Sequence, residues 1–342
     1  MRAALIHGPS DLRVADVPTP EAGADELLLK IASVCVCGSD LHYYLEGAIG
    51  TNRIKDPHIP GHEFSAWIED DRAEAKGFRP GQLVAVDPAR SCGHCEHCLN
   101  GRPNLCPELW FHSTPPAHGG MCEYVAAPLH TLIPVPEGMT PDQAAALEPV
   151  GIGIHAMKRA DLQLTETVAI LGCGPIGLIL LQLARAGGAG HIICVDPIGY
   201  RTEKARELGA DHVAQSYEAI ADLTDGRGVD LVIEATNSPE AFGQSCLAAR
   251  PAGRIVLIGI PEGIDYAPMD AKVFRMKELT VKIINRMGRV YPEAIEAVRR
   301  GMVDVNTLLT HFGGLDDAPT IFARQGAYQD GSLKSVVNPN VG

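Results

Sequence analysis

The sequence predicts an α/β protein in two parts: a β-rich first part, then a doubly wound parallel sheet with helices on both faces. Three observations carry that prediction. The first third is dense in Pro, Gly and short β-type runs, and long periodic helices are scarce before residue 140. From about Ala160, apolar β-branched runs alternate with helix-length segments, which is the pattern of a parallel sheet covered on both sides. Early in that second region, Gly172-Cys173-Gly174-Pro175-Ile176-Gly177 fits G-x-G-x-x-G, with an apolar run before it and a helical pattern after it.

In chain order, Leu27–Val36 and Leu83–Val86 read as strands bounded by turn residues. Val168–Leu171 reads as a strand, Pro175–Gly187 as a helix, His191–Val195 as a strand and Arg201–Leu208 as a helix. Strand Val229–Glu234, helix Pro239–Ala249 and strands Arg254–Ile258 and Leu279–Ile284 complete the series. An amphipathic helix, Pro292–Arg300, leads into a short mixed tail. These changes of texture divide the chain into residues 1–151, 152–286 and 287–342.

Composition narrows the function. With Lys plus Arg at 29 and Asp plus Glu at 42, the net charge is −13, which opposes nucleic-acid binding because phosphate contacts need clustered cations. A hydrophobic fraction of 46% excludes disorder as the main state. The uncharged stretch Thr167–Ala184 contains Gly172, Gly174, Pro175 and Gly177, so strand, turn and buried helix explain it better than a membrane span. The opening Met-Arg-Ala-Ala-Leu-Ile-His carries no signal-peptide pattern, so a cytoplasmic protein with reduced thiols is expected. In that setting, the clustered members of the ten cysteines read as metal ligands. Cys35, Cys122, Cys173, Cys194 and Cys246 read as small buried residues.

The glycine motif has a physical reading at each position. Gly172 permits a tight turn, Gly174 lets backbone N–H groups approach a pyrophosphate, and Gly177 lets the helix pack closely on the strand. The helix N-terminus adds partial positive charge for phosphates. Asp196 ends the next strand about 20 residues on, where a carboxylate accepts both ribose hydroxyls and repels a 2′-phosphate, so NAD is favoured over NADP. Arg201 is the nearby cation that bears on that choice, and a helix-surface role is expected for it.

Two metal constellations precede it. Cys92, Cys95, Cys98 and Cys106 place four thiols in one loop, a closed set for a structural zinc. His94 and His97 read as loop-surface residues. The region lacks the basic helix of a DNA-binding zinc finger. The second set is dispersed: Cys37-Gly38-Ser39-Asp40, Gly61-His62-Glu63 and Glu148-Pro149. One thiolate, one imidazole and carboxylates suit a catalytic zinc with room for water or substrate.

These residues are similar to a known family. Over essentially its whole length the chain resembles the zinc-dependent medium-chain dehydrogenases, and within them the polyol (sorbitol, xylitol) type. The general marks are Gly61-His62-Glu63, the four-cysteine lobe and Gly172–Gly177. The subfamily marks are Cys37–Tyr44 (C-G-S-D-L-H-Y-Y), Gly47–Gly50 (G-A-I-G), Phe111–Gly119 (F-H-S-T-P-P-A-H-G) and Glu148-Pro149. The resemblance implies a GroES-like β-rich catalytic domain, a Rossmann domain, and a C-terminal segment that returns to the catalytic domain. It implies a catalytic zinc on Cys37, His62 and Glu63, with Glu148 bound directly or through water. It also implies a proton relay from Ser39 to His42, and a substrate pocket lined by Tyr43, Phe111 and Arg286. Met287 stands where the polyol enzymes often carry Tyr after the Arg.

The expected reaction is NAD-linked oxidation of a secondary hydroxyl of a sugar alcohol, in a homotetramer or homodimer with no nucleic-acid or membrane partner. The alternative is a dehydrogenase of a sugar acid of the idonate type, an aldose or threonine. A non-catalytic NAD-binding protein leaves Cys37, His62, Glu63 and Glu148 without a role. A zinc hydrolase leaves the Gly172–Asp196 segment without one.

Overall fold

The longest early strand, Glu26–Cys35, organises the first unit of the chain. Its first half alternates half-buried and buried residues, and Ser33–Cys35 are buried throughout, so the strand runs from the sheet's margin into its interior. It pairs antiparallel with Glu63–Ile68, Tyr124–Pro128 and Lys334–Val337. The sheet runs in the order Leu132–Pro134, Leu83–Val86, Glu63–Ile68, Glu26–Cys35, Lys334–Val337, Leu309–Gly313, and its last pair is parallel. Leu27, Leu29, Ile31, Phe64, Ile68, Met121 and Phe322 fill its core. The structure, a computed structural model, describes residues 1–261 and 265–340. The first unit comprises Met1–Glu148, Ala294–Arg299 and the chain from Val305 onward.

The C-terminal segment, read from sequence as a mixed tail, supplies strands Leu309–Gly313 and Lys334–Val337 to this sheet, with helix Ala318–Gly326 between them. The Gln325 amide fixes that return by donating to the Val36 carbonyl at 3.0 Å and accepting from the Ser335 N–H at 2.8 Å.

The second unit, Pro149–Glu293 with Arg300–Asp304, holds a six-stranded parallel sheet. Its order is His212–Ala214, His191–Val195, Thr167–Leu171, Val229–Glu234, Ala249–Leu257, Thr280–Ile283. The order reverses between Thr167–Leu171 and Val229–Glu234, and that switch point is where open α/β sheets bind ligands. The near-continuous burial of Val168–Leu171 and Val229–Glu234 reflects helices on both faces. Thr167–Ala184 is strand, turn and buried helix, and among the described residues no helix is long and apolar enough to cross a membrane.

Strands Leu83–Val86, His191–Val195 and Val229–Glu234 have the bounds read from sequence. Others shift. The helix expected over Pro239–Ala249 covers Ala241–Ala248, and the strand expected from Arg254 begins at Ala249. The Lys277 ammonium explains the sharp junction, because it donates to the carbonyls of Cys246, Leu247 and Ala249 and so terminates the helix. Helices Gly38–Glu46 and Leu147–Ala160 had no counterpart in the sequence reading; each begins one residue before a site residue, Ser39 or Glu148. Cys35, Cys122, Cys173, Cys194 and Cys246 are buried free thiols.

The glycine motif separates into two kinds of constraint. A Cβ on Gly177 would lie 1.8 Å from the Gly172 carbonyl oxygen, whereas one on Gly174 would meet nothing nearer than Arg201 Nη1 at 3.9 Å. Gly177→Ala is therefore expected to lower the unfolding free energy by about 1–3 kcal/mol, the usual cost of overpacking. Gly174→Ala should change it by less than about 0.5 kcal/mol. Urea unfolding of the two variants against wild type measures the difference.

Candidate functional site

The four-cysteine loop closes on itself. Cys92, Cys95, Cys98 and Cys106 bring their sulfurs within 4.8 Å of one another. Cys92 Sγ lies 3.9 Å from Cys98 Sγ, and the Cys95 N–H donates to Cys92 Sγ at 3.3 Å. Tetrahedral zinc with bonds of about 2.3 Å requires sulfurs about 3.8 Å apart, so the donor set fits that ion and leaves no position for substrate. His94 is exposed, with Nδ1 facing the Cys92 carbonyl at 2.9 Å, and a further Cys92–His94–Glu108 group shares one of the four cysteines.

The second cluster is assembled around a buried carboxylate. Asp40 is fully buried in the first turn of helix Gly38–Glu46. It accepts the N–H of Cys37 at 3.0 Å, the N–H of Gly61 at 2.9 Å and the Ser113 hydroxyl at 3.0 Å. His62 Nδ1 stands 3.7 Å from the same carboxylate. Burial alone would raise the pKa of Asp40, but the His62 ring and the two amides reverse this and hold it below the ordinary value. Three separate chain segments thus converge on one anion, and the second ring nitrogen of His62 is left for a metal.

The ligand atoms of Cys37, His62 and Glu63 lie within 4.8 Å of one another. A thiol, an imidazole and a carboxylate fit a zinc site with one open position. For His62, burial lowers the pKa, but the Cys37 sulfur and Asp40 outweigh it and hold it well above the imidazole value. Glu148, buried in the first turn of helix Leu147–Ala160, stands outside that cluster. Burial pushes its carboxyl up to about 7, opposed by the charge of His62 and reinforced by that of Glu63.

Sequence reasoning missed Lys334. Its ammonium donates to both carboxylate oxygens of Glu63, at 2.7 and 2.6 Å, and lies 3.4 Å from the Val36 carbonyl. Both side chains are buried. The only signal was a single Lys inside an apolar C-terminal run, which reads equally well as an exposed residue of an edge strand. Asp40 was visible inside the Cys37–Asp40 motif, but its contacts with Gly61 and Ser113 depend on the fold.

The remaining site residues divide between the two units. Ser39 and His42 lie on helix Gly38–Glu46, and His42 Nδ1 is 2.6 Å from Glu46 Oε1. The Phe111 ring lies 5.5 Å from that of His62, and buried Tyr43 faces His58 at 5.6 Å. Arg286 belongs to the second unit and takes a left-handed φ of 55°. Met287 is buried against Gly151, where an added Cβ would sit 2.4 Å from its sulfur.

In the second unit, Gly172 adopts φ 93° and helix Pro175–Ala186 starts from Gly174, with Pro175 at its first position. Pro175 and Ile176 thus open the helix whose N-terminus faces the glycine turn. Asp196 is buried and accepts the Cys173 N–H at 2.8 Å and the Ile198 N–H at 2.9 Å, so it ties the glycine turn to the end of its own strand. The helix-surface role expected for Arg201 does not hold. Only 15% of its side chain is exposed, and Nη1 lies 3.7 Å from Asp196 Oδ2. The attraction of the buried carboxylate turns the guanidinium inward.

Residues 23–137 match the family described as alcohol dehydrogenase GroES-like domain, and residues 175–300 match zinc-binding dehydrogenase. Sorbitol dehydrogenase of Bacillus subtilis (strain 168) is 34% identical, covering 99% of this chain and 98% of its own. A dehydrogenase of Escherichia coli CFT073 solved with NADH is 29% identical, with TM-score 0.88 and 99% of each chain covered. A zinc-binding dehydrogenase of Sinorhizobium meliloti 1021 solved with NADP is 28% identical, with TM-score 0.87 and 99% of each covered.

Two independent ligand sets predict two zinc ions per chain, and elemental analysis of gently purified protein should find both. The three-ligand ion should pass to a chelator well before the four-thiolate ion, because an open site dissociates more readily than a closed one. Cys95→Ser should lose the slow ion while retaining the fast one. Loss of both ions together would contradict this division.

Proposed function

The chain belongs to the zinc-dependent medium-chain dehydrogenases, enzymes of alcohols and polyols that use zinc and a nicotinamide dinucleotide, and from that premise we propose that it oxidises a secondary hydroxyl of a sugar alcohol to the ketose with NAD. The observation that carries this reading is the cluster of Cys37, His62 and Glu63, a ligand set with one open position, in a chain that also has the glycine turn and Asp196. Similarity to sorbitol dehydrogenase over nearly the whole length supports the polyol as substrate.

Cys37, His62 and Glu63 would hold the catalytic ion, and Glu148, whose carboxyl feels the charges of His62 and Glu63, would bear on it directly or through water. When bound, that ion supplies Lewis acidity to the substrate hydroxyl and the dinucleotide accepts hydride. The protein's own part is to orient the substrate and move a proton. Ser39, at the start of helix Gly38–Glu46, takes the hydroxyl proton. His42, less than one turn further on, carries it outward. Asp40 fixes His62, and through the Cys37 amide it fixes the loop that carries the thiol. Phe111 and Tyr43 line the substrate's side of the site in this reading, and Phe111 packs beside His62. The same reading makes the enzyme a cytoplasmic homodimer or homotetramer. Edge strand Thr280–Ile283, with Ile283 69% exposed, offers a pairing surface.

The position of Arg201 favours a second reading of the cofactor. A guanidinium beside Asp196 offers a partner to a 2′-phosphate and weakens that carboxylate's repulsion of NADP. A kinetic panel of polyols, aldonates, aldoses and threonine, run with NAD and NADP side by side, tests substrate and cofactor together. A sugar alcohol with NAD should give the highest kcat/KM.

Asp196→Ala should raise the KM for NAD and narrow the gap to NADP, whereas Arg201→Ala should widen it. A wild-type preference for NADP would overturn the ribose role of Asp196.

Ser39→Ala should keep its zinc and its NADH affinity but lose about 10²–10⁴-fold in kcat at neutral pH, the usual loss when a positioned proton-transfer group is removed. Part of the rate should return at high pH, where the hydroxyl ionises without help. Near-normal turnover of a zinc-replete variant at neutral pH would remove Ser39 from the mechanism.

A further inference from the structure

We propose that Lys334 is a positioning residue that competes with the catalytic zinc for the Glu63 carboxylate, which keeps Glu63 a weak ligand that a substrate oxygen can displace. The geometry is a buried ammonium bonded to both oxygens of a carboxylate that also belongs to the Cys37–His62–Glu63 ligand cluster. With the Val36 carbonyl at 3.4 Å, the three N–H donors of the ammonium all have acceptors, so Lys334 is fixed in place. A carboxylate offers about four lone-pair sites, and two of those on Glu63 point at Lys334.

Charge arithmetic gives the consequence. With the Cys37 thiolate, the Glu63 carboxylate and the buried Asp40 carboxylate beside His62, zinc sums to −1. The Lys334 ammonium returns that sum to zero. A site with this added positive charge holds its metal less tightly and polarises a bound hydroxyl more strongly than the same site without it. Removing the lysine leaves Glu63 wholly to the metal.

Lys334 therefore has opposite effects on the two forms of the protein. Without zinc it satisfies a buried carboxylate, and its loss destabilises the fold. With zinc it weakens a ligand, and its loss tightens metal binding. A lysine that only supported the fold would loosen the metal when removed, because a less stable site releases its ion faster.

The test is zinc release from the loaded enzyme to a chromophoric chelator, read on the fast-released ion, together with thermal melting of zinc-stripped protein. Lys334→Met should slow that release by about 10- to 100-fold, the usual influence of one adjacent charge on a carboxylate. Stripped Lys334→Met should melt below wild type. Lys334→Arg, which keeps the charge, should release zinc at the wild-type rate. If Lys334→Met does not fold, Lys334→Gln, neutral and able to hydrogen-bond, should show the same slowing. Release at the wild-type rate or faster from the neutral variant would overturn the proposal.

The inference rests on Glu63 being a ligand of the catalytic ion, and Glu63→Gln separates the two failures. If Glu63→Gln leaves zinc release unchanged, the ligand assignment and the role of Lys334 both fall. If it speeds release while the Lys334 variants do not slow it, only the role of Lys334 falls.

Discussion

The buried ion pair between Glu63 and Lys334 fastens the catalytic unit together. Glu63 begins a strand in the first part of the chain and Lys334 begins the last, and both lie beside the central strand Glu26–Cys35. Two charges out of water are tolerated only when each is satisfied, and separating such a pair typically costs about 3–5 kcal/mol. The C-terminal return, with its Gln325 contacts to Val36 and Ser335, therefore brings Lys334 to the candidate metal site as well as extending the sheet.

Around that pair the chain carries two ligand sets of different kinds, each suited to a metal ion. The Cys92–Cys106 lobe uses four identical soft ligands from one loop and needs little help from the rest of the fold. The Cys37–His62–Glu63 cluster draws its ligands from a helix cap, a loop and a strand, so it depends on Asp40 to hold those segments in register. Local sequence suffices for a closed site. An open site with mixed ligands needs a preorganised surround, because its vacant position removes one of the bonds that would otherwise fix its geometry.

The dinucleotide unit shows the same economy. Asp196 accepts from the amide of Cys173 within the glycine turn, so the carboxylate expected to meet a ribose also shapes the loop expected to meet the phosphates. Arg201 joins it from the following helix. In the proposed reading, cofactor choice rests on a balance between these two adjacent charges.

The sequence by itself determined the fold class, the parallel sheet, the closed four-cysteine set and the glycine turn. Each of these is written in local periodicity or spacing: apolar runs mark Val229–Glu234, and four cysteines in one loop can meet without help from elsewhere. The resemblance carried by Gly61-His62-Glu63 and Cys37–Tyr44 brought the dispersed ligands together in advance. Only the tertiary structure decided that Lys334 neutralises Glu63, that Asp40 binds Gly61 and Ser113, that Arg201 turns inward to Asp196, and that Met287 packs beneath Gly151. The physical reason is that each depends on groups far apart in the chain, or on the direction in which a side chain leaves its element. A lysine in an apolar run reads as exposed until the fold places a carboxylate within 3 Å of it, and no local pattern encodes that meeting.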